Sequence, residues 1–350
     1  MKSIQSLGYK VFFESENFTA LKKFFTKHPY SRYVILCDEN TLQHCVHKVI
    51  AACNALKEAE IIEIEAGETS KSLDIAAQVW NSLLEQNAGR DTLLINIGGG
   101  VVSDLGGFCA SVYKRGIDFI TIPTSLLAMA DASIGGKTGI DFSGIKNSIG
   151  SFAQPKAVFI HRNFLETLEP RQLMNGLAEV YKIALIADNK FWNSLSEIKL
   201  QYMIEKSVAL KNTIVLKDPY EKGLRKVLNF GHTIGHAIEA FALSQAEDLL
   251  HGEAIVAGMI IETHLAWQKK LISTVRRNEV LITLQLIFEL PELDFSPAQL
   301  LPYLKQDKKN KGTGVNFSLI RGEGSCAYDI SCTSQQIEKA IAYYQALLND

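Results

Sequence analysis

The sequence predicts an N-terminal α/β domain with a doubly wound, mainly parallel sheet, followed by a mainly α-helical domain. In the first half, short apolar runs rich in β-forming residues alternate with helical patterns, which is typical of a parallel sheet covered by helices. From about Phe164 the pattern changes to long helical stretches. We therefore expect one domain over residues 1–165 and a second over residues 166–350, because a chain of 350 residues can bury two substantial cores.

Five strands and three helices are predicted in the first domain. The strands are short apolar runs, and the helices between them are longer stretches with apolar residues at helical spacing. In chain order the strands are YVILCDEN, AEIIEIEAGE, TLLINIGGG, DFITIPTS and KAVFIH. The helices are LQHCVHKVIAACNALK, SLDIAAQVWNSLLEQNA and VVSDLGGFCASVYKR.

The second domain is predicted from four helical stretches and one extended segment. The helical stretches are LMNGLAEVYKIALIA, LQYMIEKSVALKNTIVL, GLRKVLNFGHTIGHAIEA and EAIVAGMIIETHLAWQKK. The extended segment is FSLIRGEGSCAYDI, near the end of the chain.

Charge and composition argue against several classes of partner. The net charge of −2 provides no broad field for nucleic acid or an anionic membrane, so any basic site must be local. The apolar runs are too short to span a bilayer, and the N-terminal stretch lacks the apolar core of a signal peptide. The six cysteines show no CxxC spacing, so we expect reduced thiols and a cytoplasmic protein.

Polar groups follow three of the predicted parallel strands. The stretch INIGGGVVSDLGGF joins a buried strand to a helix start, where backbone N–H groups can approach a phosphate, although it lacks the GxGxxG pattern. Glu68 and Lys71 follow a second strand, and Thr124 and Ser125 follow a third. Because carboxyl ends of parallel strands share one edge, these groups favour a cofactor site over a tight turn without a ligand.

The stretch ADASIGGKTGIDFSGIKNSIGSF, residues 130–152, is predicted to be a functional loop. It contains Asp131, Lys137, Lys146 and Asn147 but few apolar residues. Lysines beside glycine turns suit an anionic substrate or a cofactor phosphate. A solvated surface loop is the alternative. Arg115, at the end of the preceding helix, is expected to reach the same region.

Carboxylate and imidazole groups in the helical domain indicate a metal site. Glu179 lies in an apolar helical stretch, where an unpaired buried charge would be costly, and Lys182 follows one helical step later. Glu179, His251 and either His232 or His236 would form a three-ligand catalytic zinc set. Each histidine taken alone is more often a hydrogen-bonded core residue.

A stripe of polar residues precedes and includes the histidine pair. Arg225, Asn229, His232 and His236 are spaced 4, 3 and 4 residues apart, which places them on one face of a single helix. Such a stripe is expensive to bury in a plain core, so this helix is predicted to line a site. Lys211, on the preceding helical stretch, is a further candidate for binding a phosphate or carboxylate.

Seven ordered motifs carry a family resemblance. They are GGGVVSDLGGF, RGIDFITIPTSLLA, DASIGGKTG, KNSIGSFAQPKAV, LAEVYK, GLRKVLNFGHTIGHAIEA and LHGEAIVAGM. Together they resemble the 3-dehydroquinate synthase family of the shikimate pathway over about residues 66–260, and more faintly through DKKNKGTGVNFSLI. That family is similar in fold to metal-dependent alcohol and glycerol dehydrogenases, with an active site between an NAD-binding α/β domain and a helical metal domain.

The resemblance implies a role for each matching residue. Glu179, His232 and His251 would hold Zn²⁺ or Co²⁺, and His236 would face the substrate. The implied NAD contacts are Asp38, Glu68, Lys71, Gly99, Gly100, Val101, Asp104, Thr124, Ser125, Lys137, Lys146, Phe164 and Thr167. The implied substrate contacts are Asp131, Lys137, Lys146, Asn147, Lys182, Lys211, Arg225, Asn229, His236 and Lys308 or Lys309. Among these, His236, Asn229, Lys182, Lys137 and Asp131, with Arg115 from the partner in a homodimer, would be catalytic.

The activity implied by the resemblance is the conversion of 3-deoxy-D-arabino-heptulosonate 7-phosphate to 3-dehydroquinate and phosphate. It would proceed by transient oxidation with NAD, phosphate elimination, re-reduction and an intramolecular aldol closure. Three alternatives are another sugar-phosphate cyclase, a metal-dependent polyol dehydrogenase and a non-catalytic relative. The chain departs from the family at Ser125 and Ser103, which replace a usual threonine and a common glycine, and in the length of FALSQAEDLL.

Overall fold

The protein forms two compact units, Met1–Leu173 (unit 1) and Met174–Asp350 (unit 2). The computed structural model describes residues 2–143, 145–291, 295–306 and 315–348. The units divide within the first turn of a helix that begins at Pro170. This division is one of compactness and says nothing of function. The functional domains expected over residues 1–165 and 166–350 therefore stay a prediction. No helix of the described residues combines the length and apolarity needed to cross a bilayer.

Unit 1 is built on a seven-stranded sheet with the strand order β1-β2-β9-β6-β5-β3-β4. Its strands are β1 (Ser3–Gln5), β2 (Lys10–Phe13), β3 (Arg32–Asp38), β4 (Glu60–Ile64), β5 (Thr92–Gly98), β6 (Asp118–Pro123) and β9 (Ala157–Ile160). Every neighbouring pair is parallel except β1 with β2. The predicted mainly parallel sheet is thus confirmed, and β1 and β2 extend it beyond the prediction.

The helices of unit 1 connect these strands. They are α1 (Thr19–Lys27), α2 (Glu39–Thr41), α3 (His47–Ala52), α4 (Leu73–Glu85) and α5 (Gly100–Val112). A π-helical turn over Leu42–Val46 joins α2 to α3. In α5, a methyl carbon at Gly106 would lie 2.5 Å from the Asn96 side-chain carbon, so only glycine allows this close approach to the sheet.

The carboxyl ends of β3, β4, β5 and β6 lie at one edge of the sheet, because these strands are parallel neighbours. Asp38 pairs in register with Ile64, and Gly98 pairs with Pro123. The polar groups that follow the strands therefore start from the same edge, as the sequence predicted.

The structure corrects the prediction of an irregular loop over residues 130–152. A π-helical turn over Ala128–Ala132 is followed by an antiparallel hairpin of β7 (Lys137–Phe142) and β8 (Ile145–Phe152). Gly139 faces Gly150 across the pair, and a methyl carbon at Gly139 would lie 2.7 Å from the Ile149 carbonyl oxygen. These glycines allow close strand contact, and their number is what made the stretch resemble a loop.

Unit 2 is mainly helical, as predicted. Its helices are α6 (Pro170–Ala187), α7 (Asn189–Ser194), α8 (Leu200–Lys217), α9 (His232–Ser244), α10 (His251–Gln268), α11 (Thr274–Ile287), α12 (Pro297–Gln306) and α13 (Ser334–Leu348). Its antiparallel hairpin, β10 (Val315–Ile320) and β11 (Cys326–Cys332), coincides with the predicted extended segment. Helix α10 is buried along nearly its whole length.

The predicted single helix from Arg225 to His236 is wrong. A 3₁₀ helix covers Leu224–Asn229, and α9 starts afresh at His232. Gly231 separates them with a φ of 79°, a left-handed conformation that favours glycine. The spacing of 4, 3 and 4 residues therefore does not describe one continuous helical face.

Helix α9 begins under a buried carboxylate from α10. Glu262 is fully buried, and its two oxygens accept hydrogen bonds from the backbone N–H groups of Gly231 (2.6 Å) and Ile234 (3.0 Å). This carboxylate satisfies amide groups that have no partner within the helix and complements the positive end of its dipole. It thereby fixes the first turn of α9, where His232 lies.

Close contact between α9 and α10 depends on glycine. A methyl carbon at Gly258 would collide with the Gly231 carbonyl oxygen and lie 2.8 Å from the Gly235 nitrogen. Backbone atoms of α9 therefore occupy the space that a side chain on this face of α10 would need.

We predict that Gly258→Ala destabilises unit 2 by about 2 kcal/mol or more, because the added methyl group meets rigid backbone. Urea unfolding would measure the change. Gly89→Ala is the matched control, since a methyl carbon there has no neighbour within 4 Å. Equal unfolding midpoints for both variants would contradict the close contact.

We also predict that Glu262→Gln lowers the free energy of unfolding by roughly 1.5–3 kcal/mol. The amide group removes the charge and cannot accept both backbone hydrogen bonds with two oxygens. Glu338→Gln, at an exposed position of α13, should stay within about 0.5 kcal/mol of the parent. Thermal unfolding of the three proteins compares these effects, and a stable Glu262→Gln protein would argue against the cap.

Candidate active site

Three predicted metal ligands converge in unit 2. Glu179 comes from the middle of α6, while His232 and His251 are the first residues of α9 and α10. The Oε1 atom of Glu179 lies 3.4 Å from Nε2 of His232 and 3.4 Å from Nε2 of His251. One ligand atom from each residue lies within 4.8 Å of the others, close enough to share one cation.

The two oxygens of Glu179 have different neighbours. Oε1 faces the two imidazoles, whereas Oε2 contacts the Lys182 ammonium. Burial would raise the pKa of Glu179, which is only 2% exposed, but Lys182 and His251 outweigh burial and lower that pKa to about 2. Glu179 is therefore an ionised carboxylate at neutral pH inside the helical core.

His232 presents its Nε2 atom to Glu179 because its other ring nitrogen, Nδ1, already has a hydrogen-bond partner. Nδ1 lies 3.1 Å from the Phe230 carbonyl oxygen and donates to it. Burial holds the pKa of His232 well below its usual value. A neutral ring with a proton on Nδ1 leaves the Nε2 lone pair free to bind a cation.

His251 is held in the same way by a carboxylate. Its Nδ1 atom lies 3.2 Å and 3.3 Å from the two oxygens of Glu239, a buried residue of α9. Burial would lower the pKa of His251, but Glu239 and Glu179 outweigh it and raise that pKa to about 10. The surroundings of this ring thus stabilise positive charge.

His236 lies beside this cluster rather than next to Glu179. Its ring centroid is 5.2 Å from that of His232 and 5.9 Å from that of His251. It can also share a cation with Glu239 and His251. Between the two histidines that the sequence left as alternatives, His232 is the one whose Nε2 atom faces Glu179.

The residues present fit a divalent transition metal. Two imidazole nitrogens and one carboxylate oxygen form the three-ligand donor set of catalytic zinc sites, and cobalt accepts the same donors. The remaining nitrogen of each histidine already has a hydrogen-bond acceptor, which is the usual arrangement around a bound metal.

Backbone contacts fix the start of α10 as well. The Asn175 side chain of α6 accepts a hydrogen bond from the Gly252 N–H group at 2.5 Å. A methyl carbon at Gly252 would lie 2.7 Å from the Asn175 Cα atom. The glycine after His251 therefore brings α10 directly against the helix that carries Glu179.

Buried basic groups are found elsewhere in unit 2. Lys182, Lys211 and Arg225 are each less than a tenth exposed. Arg225 donates to the Pro219 carbonyl oxygen at 2.6 Å, and its backbone N–H donates to Asp218 at 3.0 Å. Burial of three cations is costly in a plain core, which supports the sequence-based interpretation of a binding region.

Asn229 is held by a residue that the sequence analysis missed. Its Nδ2 atom donates to Glu221 Oε1 at 2.6 Å, and Glu221 has a left-handed backbone with a φ of 56°. Glu221 lies in a polar stretch with no distinguishing pattern. Glu239 and Glu262 were also missed, although each is a carboxylate within an apolar helical stretch, the pattern that identified Glu179.

In unit 1, several predicted NAD contacts form ion pairs. Lys71 Nζ lies 2.6 Å from Asp104 Oδ2, and Lys146 Nζ lies 3.6 Å from Glu68 Oε1. Burial would lower the pKa of Lys71, but Asp104 and Glu68 outweigh it and raise that pKa. The structure thus brings these four residues into two neighbouring charge pairs.

The glycine turn lies against the end of β6. Gly100 is the first residue of α5, and a methyl carbon at Gly99 would lie 3.3 Å from the Ser125 hydroxyl oxygen. The backbone N–H of Thr124 donates to the Gly98 carbonyl oxygen at 2.9 Å. A glycine-lined helix N-terminus beside two hydroxyl residues suits a phosphate group.

The remaining predicted NAD and substrate contacts of unit 1 lie in other elements and have other neighbours. Asp38 caps α2 by accepting the Thr41 N–H at 2.8 Å, and Thr167 donates to the Phe164 carbonyl oxygen at 3.4 Å. Phe164 is buried against the His161 ring. The other predicted positions are Val101 in the first turn of α5, Asp131 in the π-helical turn and Lys137 at the start of β7.

Strand β8 carries Asn147, near its start, in a left-handed conformation. Its φ is 50°, and its backbone N–H donates to Asp141 Oδ1 at 2.7 Å. Arg115 is also left-handed, with a φ of 68°, between Lys114 (48°) and Gly116 (105°). Predicted contacts Lys308 and Lys309 lie outside the described residues.

Two family models match the chain. The model described as 3-dehydroquinate synthase N-terminal matches residues 61–175, and the model described as 3-dehydroquinate synthase C-terminal matches residues 176–310. A 3-dehydroquinate synthase from Parabacteroides distasonis is 36% identical over 338 residues, covering 93% of this chain and 94% of that protein.

Solved structures share the fold. A 2-deoxy-scyllo-inosose synthase complexed with carbaglucose-6-phosphate, NAD⁺ and Co²⁺ has a TM-score of 0.87 at 24% identity, covering 97% of this chain and 99% of that chain. A 2-epi-5-epi-valiolone synthase from Streptomyces hygroscopicus subsp. jinggangensis 5008, with NAD⁺ and Zn²⁺ bound, has a TM-score of 0.84 at 25% identity, covering 100% and 99%. The predicted dehydroquinate synthase-like fold is confirmed, and the chain belongs to the 3-dehydroquinate synthase family.

Proposed function

We propose that this protein converts 3-deoxy-D-arabino-heptulosonate 7-phosphate to 3-dehydroquinate and phosphate, as a phosphate-eliminating lyase of the shikimate pathway. The observation that carries the proposal is the meeting of Glu179 with the Nε2 atoms of His232 and His251 in a chain of this family. Curated relatives named 3-dehydroquinate synthase, such as that of Parabacteroides distasonis, support the assignment over nearly the whole chain.

The proposed cofactors are NAD and a divalent cation, Zn²⁺ or Co²⁺. When bound, the cation supplies Lewis acidity at the substrate hydroxyl and NAD supplies a reversible two-electron oxidant, so that no second redox substrate is consumed. Glu179 Oε1 and the Nε2 atoms of His232 and His251 hold the cation. Their proximity and their occupied second nitrogens support this role.

In unit 1, the carboxyl edge of the parallel sheet binds NAD. The N-terminus of α5 and the backbone of Gly99 and Gly100 accommodate the phosphates, because N–H groups and the helix dipole stabilise negative charge there. The other proposed NAD contacts are Asp38, Glu68, Lys71, Val101, Asp104, Thr124, Ser125, Lys137, Lys146, Phe164 and Thr167.

Basic residues bind the substrate's phosphate and carboxylate. Buried Lys182, Lys211 and Arg225 interact strongly with an anion because little water screens them. Elimination breaks the carbon–oxygen bond to phosphate and forms a carbon–carbon double bond as the neighbouring carbon passes its proton to the departing phosphate, and cationic groups stabilise the departing charge. The other proposed substrate contacts are Asp131, Lys137, Lys146, Asn147, Asn229, His236, Lys308 and Lys309.

Asn229 and His236 position protons at the substrate hydroxyl. Glu221 holds the Asn229 amide group by accepting one of its hydrogens, which leaves the carbonyl oxygen of the amide as an acceptor. His236 is half-buried next to the proposed ligands, close enough to exchange a proton with a group bound there.

A second candidate function is that of another sugar-phosphate cyclase. The likeness in fold to 2-deoxy-scyllo-inosose synthase favours it, but that protein shares only 24% of its residues with this chain, against 36% for the dehydroquinate synthase. Competition between the heptulosonate and other phosphorylated sugars would separate the two functions.

The proposed assembly is a homodimer in the cytoplasm, with Arg115 contributed to the partner's active site. Four large apolar side chains of unit 1 are between 44% and 48% exposed, and three of them lie on one hairpin, which supports an apolar contact surface there. They are Val112 at the end of α5 and Phe142, Ile145 and Phe152 on the hairpin. The six cysteines form no disulfide among the described residues, which supports a reducing compartment.

We predict that the protein loaded with zinc and NAD releases one phosphate for each heptulosonate consumed, without net accumulation of NADH. A coupled phosphate assay with simultaneous absorbance measurement checks both quantities. Chelator treatment should abolish phosphate release, and added Zn²⁺ or Co²⁺ should restore it. Fully loaded protein that frees no phosphate, or that accumulates NADH with a simple polyol, would refute the proposed activity.

We predict that Phe152→Asp converts the dimer to a monomer, because the new carboxylate would be desolvated in an apolar interface. Sedimentation velocity measures the change. Leu286→Asp, at a 79% exposed position of α11, is the matched control and should leave the sedimentation coefficient unchanged. A Phe152→Asp protein that still sediments as a dimer would exclude the hairpin as the interface.

A further inference from the structure

Glu239 links α9 to the proposed ligand His251. Its carboxylate is 4% exposed, and both oxygens lie within 3.3 Å of His251 Nδ1. The opposite ring nitrogen, Nε2, lies 3.4 Å from Glu179 Oε1. The imidazole is therefore held between two buried carboxylates, one on each side.

This arrangement suits one tautomer of a metal-bound His251 ring. A cation between Nε2 and Glu179 uses the Nε2 lone pair, so the single ring proton belongs on Nδ1, where both oxygens of the Glu239 carboxylate can accept it. The Nε2 lone pair then points toward the proposed cation site, which Glu179 shares. A carboxylate acceptor also increases the electron density of the ring, which makes Nε2 a stronger donor to a metal.

His232 offers an internal comparison. Its Nδ1 proton is accepted by the neutral Phe230 carbonyl, whereas that of His251 is accepted by a full negative charge. The two histidines therefore have the same orientation toward Glu179 but unequal partners. Loss of the charged partner should affect one ring and leave the other in place.

We propose that Glu239 is a positioning residue of the metal centre, which orients His251 and strengthens its bond to a divalent cation. The inference rests on the cation site of the proposed function and deepens it. Glu239 touches neither substrate nor NAD in this role, since it acts through the far nitrogen of the His251 ring.

The test measures cobalt binding to the full-length, metal-free protein by competition with a chromogenic chelator. Glu239→Gln keeps an acceptor for Nδ1 and loses the charge, whereas Glu239→Ala loses both. We expect Co²⁺ affinity to fall by about 10- to 100-fold in Glu239→Gln and further in Glu239→Ala. Glu239→Asp, which restores the charge, should bind more tightly than either.

The matched control is Glu247→Gln. Glu247 is an exposed carboxylate four residues before His251, in the segment between α9 and α10, so the substitution removes an equal charge outside the contact with the His251 ring. Its Co²⁺ affinity should equal that of the parent protein. An equal loss of affinity in both variants would show general charge attraction and overturn the specific role of Glu239.

The exchange rate of the ring N–H protons is a second measurement. Loss of a residue with only a structural role would not change this rate at one ring alone. In the Co²⁺ form, the N–H protons of ligating histidines give shifted, exchangeable NMR signals. The signal of His251 should exchange faster in Glu239→Gln, while that of His232 should stay unchanged. Unchanged exchange at both rings, or parental Co²⁺ affinity in Glu239→Gln, would refute the proposal.

Other outcomes are also decisive. If Glu239→Ala fails to fold, which circular dichroism would reveal, the folded Gln and Asp variants decide the question. His236, Glu239 and His251 can also share a cation, and a drop from two bound Co²⁺ to one in Glu239→Gln would replace the proposal with a second metal site. Parent protein that binds Co²⁺ but releases no phosphate would refute the proposed function and leave the role of Glu239 intact.

Discussion

The close contact of α9 with α10 is the constraint on which the proposed metal centre depends. The two helices approach so closely at Gly231, Gly235 and Gly258 that a methyl carbon at any of the three would collide with the facing helix. His232 and His251 begin these two helices, and their separation therefore follows from main-chain packing rather than from flexible side chains. This type of rigidity holds ligands in place before a cation binds.

A second feature of unit 2 is its buried carboxylates. Glu179, Glu239 and Glu262 lie in the core, each against a different kind of partner: an ammonium with imidazoles, an imidazole, and backbone amides. Burial of a carboxylate lowers stability unless hydrogen bonds or opposite charges compensate. Such partners are present for all three carboxylates, and two of them, Glu179 and Glu239, lie against the proposed ligand His251.

Much of the fold could be predicted from the sequence because hydrophobic spacing is local information. The parallel strands and the long helices of unit 2 fall close to their predicted positions. The hairpin over residues 137–152 was predicted to be a loop because the stretch is rich in glycine. These glycines allow close contact between paired strands, and strand pairing cannot be inferred from composition. The helix predicted across Gly231 failed because a single left-handed residue interrupts it, and the apolar spacing continues on both sides.

The site was predictable where a residue conflicts with its surroundings. Glu179 stands out in an apolar stretch, and the glycines beside His232, His236 and His251 mark close packing. Glu239 and Glu262 show the same conflict and could have been found by the same argument. Glu221 could not, because a polar residue in a polar segment carries no sign of its hydrogen bond to Asn229. Since the ammonium and the imidazoles use different oxygens of Glu179, this one carboxylate can neutralise a buried lysine with one oxygen and still offer the other to a cation between the imidazoles.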